Sequence, residues 1–310
     1  HIVTGSDDQT ALVSEALTGK TVARIKHKDQ VIAIAFSPDG RYVVTGSNDK
    51  TALVSEVLTG KEITQIKHNQ QVIAVAFSPD GRYVMTGSND KTARVSEALT
   101  GKKIAEVSHD DGVIAVAFSP DGKTVVTASF DATIKISNPF TNTLILSMPT
   151  IHKDILTRLT ISPDGRYIAT ASNDGKAYIS EMETGKLMTQ IKHSDWVNGI
   201  SFSADGQFVA TASSDKIARI SETATGKEVA RIPHQNSVYR AVFSPDGKYL
   251  ASASDDGVVQ ISLAHPEDLI AAACKLVSTN LSQSEWREYF DKEPYRETCP
   301  GLPPGPEVSE

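Results

Sequence analysis

"HKDQVIAIAFSPDGRYVVTGSNDKTALVSEVLTGKEITQIK", residues 27–67, holds one full period of the chain. "VIAIAF" (31–36) is an unbroken apolar run, the pattern of a strand buried on both faces. "SPDG" (37–40) supplies turn chemistry, since Pro fixes φ and Gly accepts positive φ. "YVVTGS" (42–47) and "TALVSE" (51–56) read as second and third strands, "LTGK" (58–61) as a turn, and "EITQIK" (62–67) as a fourth, more polar strand. Ser55 in the third strand recurs as Ser14, Ser96, Ser137, Ser180, Ser221 and Ser262, at spacings of 41, 41, 41, 43, 41 and 41 residues.

A unit of four short antiparallel strands, apolar inside and polar outside, describes one blade of a β-propeller. A blade cannot bury both faces alone, so its stability comes from stacking on neighbours. Seven third strands predict an all-β, seven-bladed β-propeller over residues 1–263, followed by a helical tail over 264–310. The chain opens at "HIVTGS", already a second strand, and no fourth strand follows Ser262. Blade one is therefore expected to lack its inner strand and blade seven its outer one, leaving unpaired edges at the seam. The same reading expects the chain to be part of a longer protein.

A net charge of −7 on 310 residues argues against a nucleic-acid surface, which needs a cationic face. No apolar run approaches the ~20 residues of a membrane-spanning helix. The two cysteines, Cys274 and Cys299, both lie in the tail, too few for a disulfide scaffold, and a reduced, cytoplasmic setting is expected. No phosphate loop, nucleophile–base pair or cysteine-rich metal motif is visible, so no cofactor is expected.

The "FSPDG" and "TGK" turns recurring in every unit resemble the WD40 repeat of the highly regular bacterial type, over residues 1–263. That resemblance implies a buried hydrogen-bonded set of His, a strand-two hydroxyl, a turn Asp and a strand-three Trp. The histidines would be His27, His68, His109, His152, His193 and His234. The aspartates would be Asp49, Asp90, Asp131, Asp174, Asp215 and Asp256, with Asp8 in the first unit and Thr45 or Ser47 as the second unit's hydroxyl. The tryptophan is replaced by serine in every unit. A His–Asp pair distributed one per blade reads as structural rather than catalytic, because an active site needs convergence. Losing a buried Trp costs about 3–5 kcal/mol, and seven uncompensated losses would exceed the roughly 5–15 kcal/mol of a typical domain. Neighbouring side chains, water or a weakened fold must account for the space.

The resemblance further implies a protein or peptide partner on the face where the inner strands begin. Aligned there are Ile32, Ile73 and Ile114 in one half of the ring, and Phe130, Arg158, Trp196, Asn198, Tyr239 and Arg240 in the other. Aromatics and arginines dominate binding hot spots. The 43-residue spacing marks a longer connection at 139–154, expected to be a surface loop.

In the tail, "PEDLIAAACKLVSTN" places Leu269, Ile270, Ala273, Leu276 and Val277 on one helical face, with Cys274 as a small core residue beside it. "SQSE" (282–285) is a capping box before "WREYF", where Trp286, Tyr289 and Phe290 form a stripe. The Pro-rich end reads as extended or disordered. The function expected is a non-catalytic interaction scaffold or sensor, joined to a signalling or NTPase-type effector as in the bacterial proteins it resembles. The alternatives are a self-associating structural propeller and, less favoured, a channel-mouth hydrolase.

Overall fold

The computed structural model describes residues 1–264, 268, 271, 274–290 and 297–305. It contains seven antiparallel sheets in chain order, each formed from consecutive strands. The second sheet shows the plan: inner strand Val31–Phe36, then Tyr42–Ser47, Thr51–Glu56 and outer strand Glu62–Lys67. Sheets three to six repeat it, with inner strands Val72–Phe77, Val113–Phe118, Leu156–Ile161 and Val197–Phe202. The first sheet has three strands, Ile2–Gly5, Thr10–Ser14 and Thr21–Lys26. So has the last, with Val238–Phe243, Tyr249–Ser254 and Val259–Leu263. The fold is a seven-bladed β-propeller.

Local chemistry sets the strand ends. In "SPDG" the Ser37 hydroxyl donates to Asp39 Oδ1 at 2.6 Å, which also accepts the Arg41 N–H at 3.0 Å. The Tyr42 N–H donates back to Ser37 Oγ, and Gly40 takes φ +69° in the left-handed region that favours glycine. The same arrangement recurs at each later copy, from Ser78 and Asp80 to Ser244 and Asp246.

The core lies between sheets. Ala11, Val13, Ala23 and Ile25 of the first sheet pack on Val31, Val43, Leu53 and Val57 of the second. Val44, Ala52, Val54 and Ile66 of the second pack in turn on Val72, Val84 and Ala98 of the third. The burial is deepest in the second and third strands of each blade. The inner strand, expected to be buried on both faces, is not. Val31 is buried, Ile32 is exposed and the rest of "VIAIAF" is half-buried. Its two faces meet the neighbouring sheets, Ile34 and Phe36 toward the first and Ala35 toward the third, while its free edge borders the central channel and leaves these groups only partly covered.

Every inner strand also carries a β-bulge near its start. Pairing slips between Val31 and Ala33, Val72 and Ala74, Val113 and Ala115, Leu156 and Arg158, Val197 and Gly199, and Val238 and Arg240. A bulge leaves one residue unpaired and re-aims its neighbours. It therefore acts on the residues at the channel mouth.

The recurrent serines sit at a second bulge, where the third strand meets the fourth, as between Val54 and Ser55 or Ile220 and Ser221. Ser55, Ser96, Ser137 and Ser221 are buried. The side chain two residues earlier on the same strand differs from blade to blade. Arg94 donates to the Lys67 carbonyl and pairs with Glu106 at 2.9 Å. Lys135 reaches the Ser108 carbonyl at 2.7 Å and Arg219 that of Lys192 at 2.9 Å. Leu53 is buried, and the Tyr178 ring lies 4.5 Å from that of His152. Each of these side chains reaches over, or packs beside, the residues that tether the next sheet. In the fifth sheet a cavity of about 90 Å³ remains beside Ser180 and Tyr178. The connection 139–154, expected as a surface loop, instead contains the fourth sheet's outer strand, Thr143–Pro149, with Leu144 and Ile145 exposed, and its two extra residues lie between that strand and His152.

The tail departs from expectation. Cys274 and Cys299 form a disulfide, with Cα atoms 5.3 Å apart, so neither is the free thiol that was expected. The cytoplasmic expectation rested on unpaired thiols and loses that support. Of the helical face predicted over 266–280, Leu269, Ile270 and Ala273 lie outside the described residues. Leu276, at 88% exposed, and Val277 are turned to solvent. The capping box does form: the Ser282 N–H donates to Glu285 Oε2 at 2.8 Å and the Glu285 N–H to Ser282 Oγ at 3.2 Å, opening the helix Gln283–Phe290. Trp286 is buried, whereas the side chains of Tyr289 and Phe290 lie outside the described residues. Residues near Cys299 are not loose. The Asn280 amide donates to the Cys299 and Leu302 carbonyls and accepts the Cys299 N–H at 2.7 Å.

Ser55 Oγ and Ser221 Oγ are buried without a hydrogen-bond partner. A buried unsatisfied hydroxyl costs about 1 kcal/mol or more, so Ser55→Ala and Ser221→Ala should each raise stability by up to about 1 kcal/mol. Thermal melts check this, and a lowered melting temperature would show that the hydroxyl does have a partner.

Candidate interaction site at the channel mouth

Two sets of residues converge at the end of the propeller where the inner strands begin. One is buried and tethers the blades. The other surrounds the opening of the channel.

In the tethering set, His27 follows the outer strand of the first sheet and reaches into the second. Its Nδ1 lies 2.9 Å from Asp49 Oδ2 and its Nε2 2.7 Å from Thr45 Oγ1. A carboxylate only accepts, so Nδ1 carries the proton and, in the neutral ring, Nε2 accepts from the threonine hydroxyl. Asp49 also accepts the Lys28 N–H and both the N–H and hydroxyl of Thr51. Thr45, not Ser47, is therefore the histidine's hydroxyl. Ser47 instead donates to the Asp29 carbonyl and receives the Asp49 N–H.

The set recurs at His68–Asp90, His109–Asp131, His152–Asp174 and His193–Asp215, with nitrogen–oxygen distances from 2.8 to 3.1 Å. At the last sheet His234 keeps its hydroxyl, Ser252, at 2.8 Å but stands 3.8 Å from Asp256. Burial lowers the affinity of His68, His109, His152 and His193 for a proton, outweighing the attraction of their aspartates. Burial pushes the other way at Asp90 and Asp131, yet the hydroxyls and N–H groups directed at these carboxylates hold them down at about 2. These groups are sealed, satisfied and spread one per blade.

The channel-mouth set is open. A cavity of about 470 Å³ runs between the inner strands, bordered by Ile32, Ile73 and Ile114 on one side and by Arg158 and Arg240 on the other. Around the rim stand Phe130, Tyr239 and Trp196, the last 53% exposed. Antiparallel pairing puts each turn between second and third strands beside the loop entering the inner strand. The Phe130 N–H donates to the Gly112 carbonyl and the Ser214 N–H to that of Trp196. Asn198 is held across the blade boundary, its amide donating to the Val238 carbonyl at 3.0 Å and to Ser214 Oγ. Of the nine residues expected here, five line the cavity, three crown its rim and Asn198 braces two neighbouring blades. Among the described residues, no group of three or more His, Cys, Asp or Glu side chains is placed to hold a metal ion. No helix among them is long and apolar enough to cross a membrane.

Residues 19–54, 60–95, 101–137, 144–179, 185–220 and 226–261 match the repeat family described as WD domain, G-beta repeat. The chain belongs to the WD40 family. A comparison with curated proteins finds no match. Each WD40 segment begins near the outer strand of one sheet and continues through the next. The segment 60–95, for instance, takes in Glu62–Lys67 and then the inner strands of the third sheet. The sequence repeat thus straddles two blades, and the His–Asp set lies at the crossing. WD40 propellers generally mediate protein–protein interaction.

The pH dependence of stability follows from the tethering set. The four histidines bind protons less readily folded than unfolded, so stability is present at neutral pH and falls as pH drops below the unfolded value of about 6.5. Asp90 and Asp131, depressed to about 2, add a second loss below the unfolded carboxylate value of about 3.9. Urea-unfolding free energies measured across these two windows should decline in each. A flat profile from about pH 7.5 to about pH 5 would contradict the neutral histidine assignment.

Proposed function

We propose that this WD40 chain is a non-catalytic interaction scaffold or sensor module that takes a protein or peptide partner on the channel-mouth face. The observation that carries this reading is the ring of exposed large side chains there, Ile32, Phe130, Trp196 and Tyr239. Aromatics presented to solvent around a concave opening are the residue types that serve as binding anchors. The His–Asp pairs support the non-catalytic part of the reading. Their histidine side chains are no more than 1% exposed, so a substrate has no access to the imidazole.

Peptides selected from a displayed library against the whole chain should bind Trp196→Ala or Tyr239→Ala about tenfold or more weakly. Melting temperatures should change by no more than a few degrees, because both side chains are about half in solvent. Lys123→Ala, in a turn at the opposite end of the blade, serves as the control and should bind like the parent. Selected peptides that ignore Trp196 and Tyr239 but respond to Lys123 would move the interaction to the other face.

A further inference from the structure

The inner strands align residue for residue, and their third positions differ around the ring. They hold Ala33, Ala74 and Ala115 in three consecutive sheets, then Arg158, Gly199 and Arg240 in the next three. All six stand at the bulge that re-aims side chains at the channel mouth. The two arginines therefore flank a position with no side chain. Gly199 cannot easily carry one: a Cβ there would stand 2.8 Å from the Tyr239 carbonyl oxygen and 3.4 Å from Arg240 Cα. The glycine thus lets the inner strand of the last sheet approach closely.

Among the described residues, Arg158 and Arg240 are the only charged ones lining the 470 Å³ cavity, whose other walls are Ile, Val, Leu, Ala and Gly. Their hydrogen bonds go to carbonyls alone. Arg158 Nη1 donates to the Thr157 oxygen at 2.9 Å, and Arg240 Nη1 to those of Tyr239 at 3.1 Å and Asn198 at 3.2 Å. Among the described residues, neither guanidinium has a carboxylate within ion-pair distance, and most of their N–H donors remain available. Both side chains stand partly in solvent at the channel, and both give up their protons more readily than an ordinary guanidinium, through desolvation by the neighbouring channel wall and, for Arg158, the repulsion of Arg240. Arg158 falls to about 10 and stays charged at neutral pH.

Two like charges that line one apolar-walled channel and repel each other raise its affinity for an anion that neutralises them. The planar fork of a guanidinium matches the oxygen pairs of carboxylate and phosphate. We propose that Arg158 and Arg240 form a paired-guanidinium site inside the channel that takes a single oxyanion group, a carboxylate or a phosphate. The group arrives either as a free anion or on an acidic or phosphorylated residue of a peptide at the rim. The free-anion source stands independently, whereas the peptide source deepens the interaction reading and rests on it.

Titration calorimetry on the full chain, at constant ionic strength, tests the site. The probes are inorganic phosphate and capped tetrapeptides carrying one glutamate or one phosphoserine. Loss of one charge-assisted contact should weaken binding by about tenfold or more in Arg158→Gln and in Arg240→Gln, while Arg158→Lys keeps part of the affinity. Phosphate binding that is undiminished in Trp196→Ala supports the free source. Peptide binding without phosphate binding supports the partner-borne source. Without any anion, Arg158→Gln should melt no lower than the parent, since it removes repulsion. Equal affinity of the parent and the double variant for every probe overturns the proposal. So does a melting temperature of anion-free Arg158→Gln several degrees lower, which would assign the arginine to packing. Displayed-library peptides that still require Trp196 in the double variant would leave the rim reading standing while the oxyanion site falls.

Discussion

The buried link from His27 through Asp49 and Thr45 is the constraint on which the propeller depends. Blades touch through apolar faces, and apolar contact alone does not specify how far one sheet rotates on the next. The histidine ends the outer strand of one sheet and spends both ring nitrogens on the sheet that follows. The next residue's N–H joins the same carboxylate. Groups this deeply buried are costly if left unpaired, so the geometry that satisfies all of them is the one the chain must adopt. Because each set spans two blades, stability is a property of neighbouring pairs, as in other stacked repeats.

Seen from that link, the serines at position 55 and its equivalents are part of a redistribution of volume rather than a simple loss. The side chain two residues earlier varies between blades, and in several it lies against the histidine set. Arg94 and Arg219 lay guanidinium groups beside Asp90 and Asp215, Tyr178 sets a ring against His152, and Leu53 packs as a hydrocarbon. The positively charged solutions also discourage protonation of the histidine they cover, reinforcing burial. The compensation is incomplete where the repeat is least regular, at Ser180, which borders a cavity.

Much of this was legible in the sequence, for identifiable reasons. A 41-residue period with turn residues at fixed places reveals blade number, strand order and the His and Asp positions, because each depends on spacing within one unit. Properties that depend on what faces the unit were not. "VIAIAF" reads as a doubly buried strand, yet it is the edge strand along the channel and is mostly half-buried, and apolar pattern cannot distinguish a core from a lumen. The Cys274–Cys299 bridge depends on a chain reversal at Asn280, for which the Pro-rich stretch carries no local sign. The filling of the serine sites required knowing which strand position looks toward the preceding histidine.

The arginine pair lies between these cases, and it shows where function separates from architecture. Arg158 and Arg240 are two repeats apart, and aligning the units exposes them as departures from alanine, but only the ring places them on one lumen. Features that recur from blade to blade serve the ring, since the His–Asp set, repeated six times, is a contact between blades. A binding site on a pseudo-symmetric scaffold must instead break the symmetry. One half of this channel keeps the repeated Ile and Ala. The other replaces them with Thr157, Arg158, Asn198, Gly199, Tyr239 and Arg240, and the same arc carries Trp196 at the rim. The conserved geometry of the blades costs these residues nothing in placement, because the bulge that aims Ile32 and Ala33 aims Tyr239 and Arg240 too. Divergence concentrated on one arc, on positions already directed at solvent, is what a rigid ring needs in order to bind something that is not itself sevenfold.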